Sequence, residues 1–299
     1  MNATLKNPAT LPKTKSERFW TPKTVGTYLL LFALAGVMLF PLLFVLSTAL
    51  KSDSNILEIP PAFWPRDWRW DNFAIAWQKV NFGQLLTNSL ILAGLNVLGS
   101  VSSSLLIGYG LSRIKFPGRR VWFYLFIGSM MLPSIVGLIP LFKLFLALGW
   151  YGTWWPLVIP PFLGNPFFIF LIRQYTLSIP KSIDEAAIID GANHWVVFTR
   201  IFVPLTRPAW IACGIFAFQG SWNDYLNALV YMPLSPERWP LSLGLASLSG
   251  LGGIGTSTTP WNMFMAANLL YMIPSLLVFF AAQNYFMQGV GALSARSQR

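Results

Sequence analysis

Six long apolar runs separated by short polar stretches organise the chain. They predict membrane-spanning helices over about 24–50, 85–111, 121–148, 154–172, 209–232 and 260–283. Each run is close to the roughly 20 residues a helix needs to cross the hydrocarbon core. Pro41 predicts a kink in the first, and Pro133 and Pro140 predict a bend in the third. The fourth is interrupted by Pro156, Pro160, Pro161, Gly164 and Pro166. Broken backbone at that depth is tolerated only where neighbouring protein or a cavity satisfies the freed groups.

Between the fourth and fifth runs lies a stretch that is both polar and well patterned, Pro180 to Trp195, continuing to Pro204 and Pro208. Ser182 and Glu185 have the spacing of a capping box, in which the hydroxyl accepts the Glu185 amide and the carboxylate reaches back. Asp184 and Glu185 then fall in the first turn, where negative charge suits the helix dipole. Gly191 is placed to end the helix in a left-handed conformation. A second short helix is predicted from near Asn193, stopping before Pro204. The first helix has about eight residues, fewer than an isolated helix needs for even marginal stability in water. Something must hold it. Ala186 and Ala187 make a face small enough for a groove on another protein, so the pair reads as a docking element.

Glu185-Ala186-Ala187, then Gly191, then Ile201-Phe202-Val203-Pro204, resembles the EAA loop of ABC-importer permeases. Asp190-Gly191-Ala192 resembles the carbohydrate-uptake branch, and Val203 stands where the family usually has leucine. Thr87–Ala93, Arg113–Arg119, Gly220–Asp224 and Gln283–Gly289 also look like the family, so the likeness runs from about Thr24 to Gly291. The expected fold is all-α: a polytopic membrane protein with about six transmembrane helices and a cytoplasmic two-helix docking loop. Residues 1–23 read as a basic cytoplasmic tail, 24–291 as the permease domain with its docking loop at 180–208, and 292–299 as a cytoplasmic tail.

Composition agrees with a membrane chain: 55% of residues are apolar and 10% charged, where soluble domains carry about 25% charge. The net charge of +11 is explained by topology rather than by nucleic acid. Lys6, Lys13, Lys15, Arg18 and Lys23 precede the first run, and Arg113, Lys115, Arg119 and Arg120 follow the second. Arg173, Lys181, Arg200 and Arg207 flank the loop, and Arg296 and Arg299 lie near the end. Alternate loops hold fewer cations, which places both termini and the docking loop in the cytoplasm. The polar amino terminus lacks the early apolar core of a cleaved signal peptide. The lone cysteine, Cys213, sits in an apolar run and reads as an inert thiol.

Several polar side chains within the runs are candidates for a translocation path. Asn96, Ser100, Ser103 and Ser104 share one face of the second helix, a pattern open to helix packing or to pore lining. Gln219, Asn223 and Asn227 recur every four residues in the fifth run beside Asp224, the one acidic residue well inside a run. Asp224 is either structural or part of the path, as is expected of an ionisable group in a membrane. Asn268 in the sixth completes the candidates. The external loop of about 51–84, rich in tryptophan, reads as an interfacial belt or, with 234–259, as a surface receiving a binding protein.

Functionally, the chain has no Gly-x-x-x-x-Gly-Lys-Ser/Thr loop, so it is not expected to bind or hydrolyse ATP. The resemblance implies a permease for a sugar or polyol-like solute, with no cofactor of its own. ATP and magnesium would sit in a dimer of ATP-binding subunits docked on Asp184, Glu185, Ala186, Ala187, Asp190 and Gly191. A second homologous permease and an external solute-binding protein would complete the importer in the inner membrane of a prokaryote. The alternative is an ion-coupled secondary transporter using Asp224 as its coupling carboxylate. An intramembrane protease lacks its dyad, because the single histidine, His194, lies in the loop.

Overall fold

The computed structural model describes residues 22–249 and 260–296, the side chains of Lys23 and of 284–296 excepted. Nearly all of the expected basic tail 1–23, residues 250–259 of the segment expected to be external, the side chains of 284–289 and 292–296, and residues 297–299 therefore lie outside what is described. All regular structure among the described residues is helical.

The first span, Pro22–Ala49, is apolar all round and packs chiefly against the last helix, with Phe40 and Phe44 meeting the Phe63 ring, so most of its surface is exposed. The second, Phe82–Arg113, is the central element, packed on the fifth and the broken fourth. Gly99 lets the fourth span come this close: a Cβ there would meet the Phe162 ring at 2.6 Å.

The third span breaks as expected. Arg119–Met130 and Ser134–Ala147 meet at 100°, with Pro133 capping the second half. The fourth is built from Trp155–Val158, a 3-10 turn over Pro160–Leu163, and Pro166–Leu177. Its freed backbone groups are met by the polar face of the second span. Asn96 Nδ2 donates to the Leu157 carbonyl at 3.1 Å, and Ser103 Oγ donates to that of Pro161 at 3.0 Å. The Asn165 amide donates to Ser104 Oγ at 3.3 Å. Those side chains compensate for a helix broken in hydrocarbon, the condition under which such a break survives.

Two elements differ from expectation. The fifth span ends at Trp222 rather than running to 232, and a short helix, Leu226–Tyr231, follows the break. The 16 residues of Arg207–Trp222 rise about 24 Å, short of a roughly 30 Å hydrocarbon core. The sixth helix, Trp261–Arg296, runs 36 residues instead of stopping near 283.

Outside the spans, Asp71–Lys79 is pinned to the end of the first span, because Asn72 Nδ2 donates to the carbonyls of Ala49 (2.8 Å) and Lys51 (2.9 Å). Trp64, Trp68 and Trp70 remain exposed on this loop. Two buried clusters hold the described residues together. One lies under this tryptophan-bearing loop, around Phe82, Trp222, Met232 and Leu241. The other lies under the loop of 180–208, around Tyr109, Ile172, Val197, Phe202 and Cys213.

Candidate functional site: the loop helix pair and a polar string between the fifth and sixth spans

The loop helix is Ser182–Ile189, the eight residues its pattern predicts. Its start differs from expectation. Ser182 is already helical and makes no side-chain cap; the amides of Asp184 and Glu185 donate to the Lys181 carbonyl at 3.0 and 3.1 Å. Its end is a Schellman motif: Ala192 N–H donates to the Ala187 carbonyl (2.9 Å) and Gly191 N–H to that of Ile188 (3.0 Å). Gly191 takes φ +88°, the left-handed region.

Asn193 then caps the next helix, accepting from the Val196 amide at 2.9 Å. That helix does not stop before Pro204. A π turn over Phe198–Phe202 widens the register, with Val203 N–H donating back to Phe198, and helical structure passes through the proline to Leu205. Proline is accommodated because the missing N–H falls where the register changes.

What holds so short a helix is the rest of the chain. Arg113, the last residue of the second span, places Nε 2.8 Å from Asp184 Oδ2, with both side chains almost wholly buried. A second Arg113 nitrogen donates to the Ile179 carbonyl at 3.1 Å. Burial pushes the Asp184 carboxyl above its usual range, and Arg113 offsets this only in part. Tyr109, one turn earlier, sits 3.3 Å from His194 Nδ1 and packs edge-on to Phe202. Ala187 and Ala192 pack on the cluster below.

Asp184 and Ala187, expected on a docking surface, therefore face the chain's own interior. Glu185, Ala186, Asp190 and Gly191 are exposed, and they share the loop's outer surface with Ile188, Ile189 (85% exposed) and Trp195 (64%). Sequence reading missed these apolar residues, although large apolar side chains in a polar loop were a visible signal.

The path candidates separate into three groups. Asn96 braces the fourth span. Gln219 and Asn223 form a string with the sixth helix. Asn223 Nδ2 lies 3.2 Å from Gln219 Oε1, and Tyr271 Oη donates to Asn223 Oδ1 at 2.9 Å. Ser275 Oγ reaches Gln219 Oε1 at 3.5 Å. Asn268 joins them by position, one turn before Tyr271, while its amide donates to the Phe264 carbonyl. Tyr271 and Ser275 were not anticipated; their i+3 and i+7 spacing from Asn268 was the available signal.

Asp224 does something else. It sits in the break of the fifth span and caps Leu226–Tyr231, accepting from the Asn227 amide (3.1 Å) and from Asn227 Nδ2 at 3.1 and 3.0 Å. Asn227 is thus turned to the cap, off the face carrying Gln219 and Asn223. Asparagine retains an acceptor at this position, so Asp224→Asn is expected to transport near the wild-type rate. Asp224→Ala is expected to lose about 1 kcal/mol of stability in a thermal unfolding experiment. Loss of all uptake in Asp224→Asn, with normal assembly, would restore the coupling-carboxylate reading.

This arrangement of spans and loop matches known proteins. The chain is 31% identical over 285 residues to a probable ABC transporter permease protein, YurM, of Bacillus subtilis, covering 95% of this chain and 92% of that one. It is 30% identical over 259 residues to the diacetylchitobiose uptake system permease NgcG of Streptomyces coelicolor, covering 86% and 84%. A solved bacterial ABC transporter that imports the acidic polysaccharide alginate has the same fold, with a TM-score of 0.77 at 24% identity over 93% of this chain and all of the other. The profile of binding-protein-dependent transport system inner membrane components matches residues 96–291. With two thirds of its length in that match, and the loop helices seated on the second span, the chain belongs to this family, the inner-membrane permeases of ABC importers.

Proposed function

We propose that this permease carries a sugar or polyol-like solute, handed over by an external binding protein, and that it works beside a second homologous permease. A dimer of ATP-binding subunits supplies the energy from the cytoplasm by gripping the loop of 180–208. The observation carrying this reading is the two-sided loop. Its inner side is locked to Tyr109 and Arg113, and its outer side offers Glu185, Ala186, Ile189 and Trp195 to a partner. Such an element transmits force as a rigid lever. Closure of the ATPase dimer displaces the loop helices, the ion pair pulls the end of the second span, and the shared core carries the fifth span with it.

Glu185 meets a basic or amide-bearing edge of the ATPase groove, and Gly191 sets the angle between the loop helices. Cation placement supports a cytoplasmic loop and cytoplasmic termini. The solute class is supported by the diacetylchitobiose permease and by the uncharged string of Gln219, Asn223, Asn268 and Tyr271, whose amides and hydroxyl suit a hydroxyl-rich neutral molecule.

The test is co-purification of the chain, expressed with its genomic neighbours, as wild type and as Glu185→Arg. An ATP-binding subunit is expected to copurify with the wild type and to be lost from the variant, while both reach the membrane equally. A chain that purifies alone and moves solute only under an ion gradient sinks the proposal.

A further inference from the structure

We propose that the end of the molecule bearing the loop helices holds one anionic phospholipid, its phosphate against Lys115, Arg119 and Arg120 and an acyl chain along the second and third spans. Five residues, Ile114–Gly118, join these spans, and Gly118 turns the chain at φ +79°. The turn encloses a cleft of about 420 Å³ lined by Lys115, Phe116, Gly118 and Val121 with the two arginines. Directly beside it lies a second cavity of about 300 Å³, lined by apolar residues including Ile107, Leu111, Trp122 and Phe126. Phe116 lines both, so a basic cleft and an apolar groove adjoin.

The charges in the cleft are not balanced from within. None of the ion pairs among the described residues involves Lys115, Arg119 or Arg120, and the hydrogen bond Arg119 makes is to the Ile114 carbonyl at 3.2 Å. Cations at a membrane boundary are commonplace. A concave set of three that opens onto an apolar groove on a membrane helix is a fit to a molecule with an anionic head and a hydrocarbon tail. Free phosphate fills only the cleft and leaves the groove empty. A choline headgroup brings a cation of its own and cancels the attraction. Trp122 is 55% exposed in this groove and serves as a built-in reporter.

The experiment uses the assembled importer in nanodiscs, with brominated phosphatidylglycerol or brominated phosphatidylcholine as quencher. The Trp122 signal is the difference between wild type and Trp122→Phe. Phosphatidylglycerol is expected to quench Trp122 at a several-fold lower lipid fraction than phosphatidylcholine, and inorganic phosphate is expected not to displace it. A basic group near an anionic lipid is worth roughly a fivefold change in affinity, so Lys115→Gln with Arg120→Gln is expected to weaken binding roughly 30-fold. Gly110→Leu tests the groove separately. A Cβ at Gly110 meets no atom within 4 Å and the residue lines the groove, so a leucine there narrows it, and the preference of Trp122 quenching for phosphatidylglycerol is expected to be lost. Equal quenching by the two lipids, wild-type binding by the neutralised variant, or displacement by phosphate overturns the proposal. A Trp122 signal that no lipid alters also overturns it, because another protein chain then covers the groove.

Discussion

Arg113→Ala is expected to loosen the loop helices from the second span and to abolish uptake with the chain still in the membrane. The pair it breaks is buried, at 6% and 12% side-chain exposure, and spans 2.8 Å. Removing one partner of a buried pair costs on the order of 3–5 kcal/mol, because the other charge is left without compensation. The bond to the Ile179 carbonyl is lost as well. The sign of the pH dependence follows from Asp184. Burial already raises its carboxyl above the usual range with Arg113 present, and without Arg113 it rises further. A carboxyl whose folded pKa exceeds its unfolded one favours the folded state when protonated. The variant's stability should therefore increase as pH falls through that raised value, and level off once pH is below the ordinary carboxylate range. Asp184→Asn in the Arg113→Ala background, neutral at every pH, should recover stability and remove the pH dependence. Thermal unfolding of the purified protein across pH, together with uptake, checks both. Unfolding of Arg113→Ala that matches wild type and ignores pH sinks the argument.

That ion pair marks the boundary of what the sequence could reveal. The loop helix, its length and its closing glycine were legible because each rests on residues within one turn of one another. The capping box was not formed, because Asp184 is bound by Arg113, far away in the chain, and the helix starts where that contact places it. A local pattern of Ser and Glu carries no trace of such a partner. Spans are read from apolar runs, and apolarity does not stop at Trp222, so the break of the fifth span at Asn223–Asp224 was hidden. The four-residue recurrence of Gln219, Asn223 and Asn227 suggested one continuous face, and the cap made by Asp224 ends it. The second span is the opposite case. Its polar face was legible, and the prolines of the fourth span were legible, but that the one answers the other is a matter of tertiary pairing.

Gly191 supports the most graded prediction. Its φ of +88° is required by the turn, while a Cβ at this position meets nothing within 4 Å, so within this chain the effect of a small substitution comes from the backbone. Asparagine visits the left-handed region readily and is expected to keep most uptake. Alanine is expected to cost about 1–2 kcal/mol there and to lower uptake partially. Proline fixes φ near −65° and removes the N–H that bonds the Ile188 carbonyl, so the Schellman motif cannot form and uptake is expected to vanish. Membrane levels of all three variants should match wild type, because the residue is exposed and lies outside both buried clusters. Uptake that falls in the order glycine, asparagine, alanine, proline identifies the angle between the loop helices as the quantity the ATPase reads. Near-normal uptake by the proline variant means that the partner grips Ser182–Ile189 alone, and that the second loop helix serves only to seat the first.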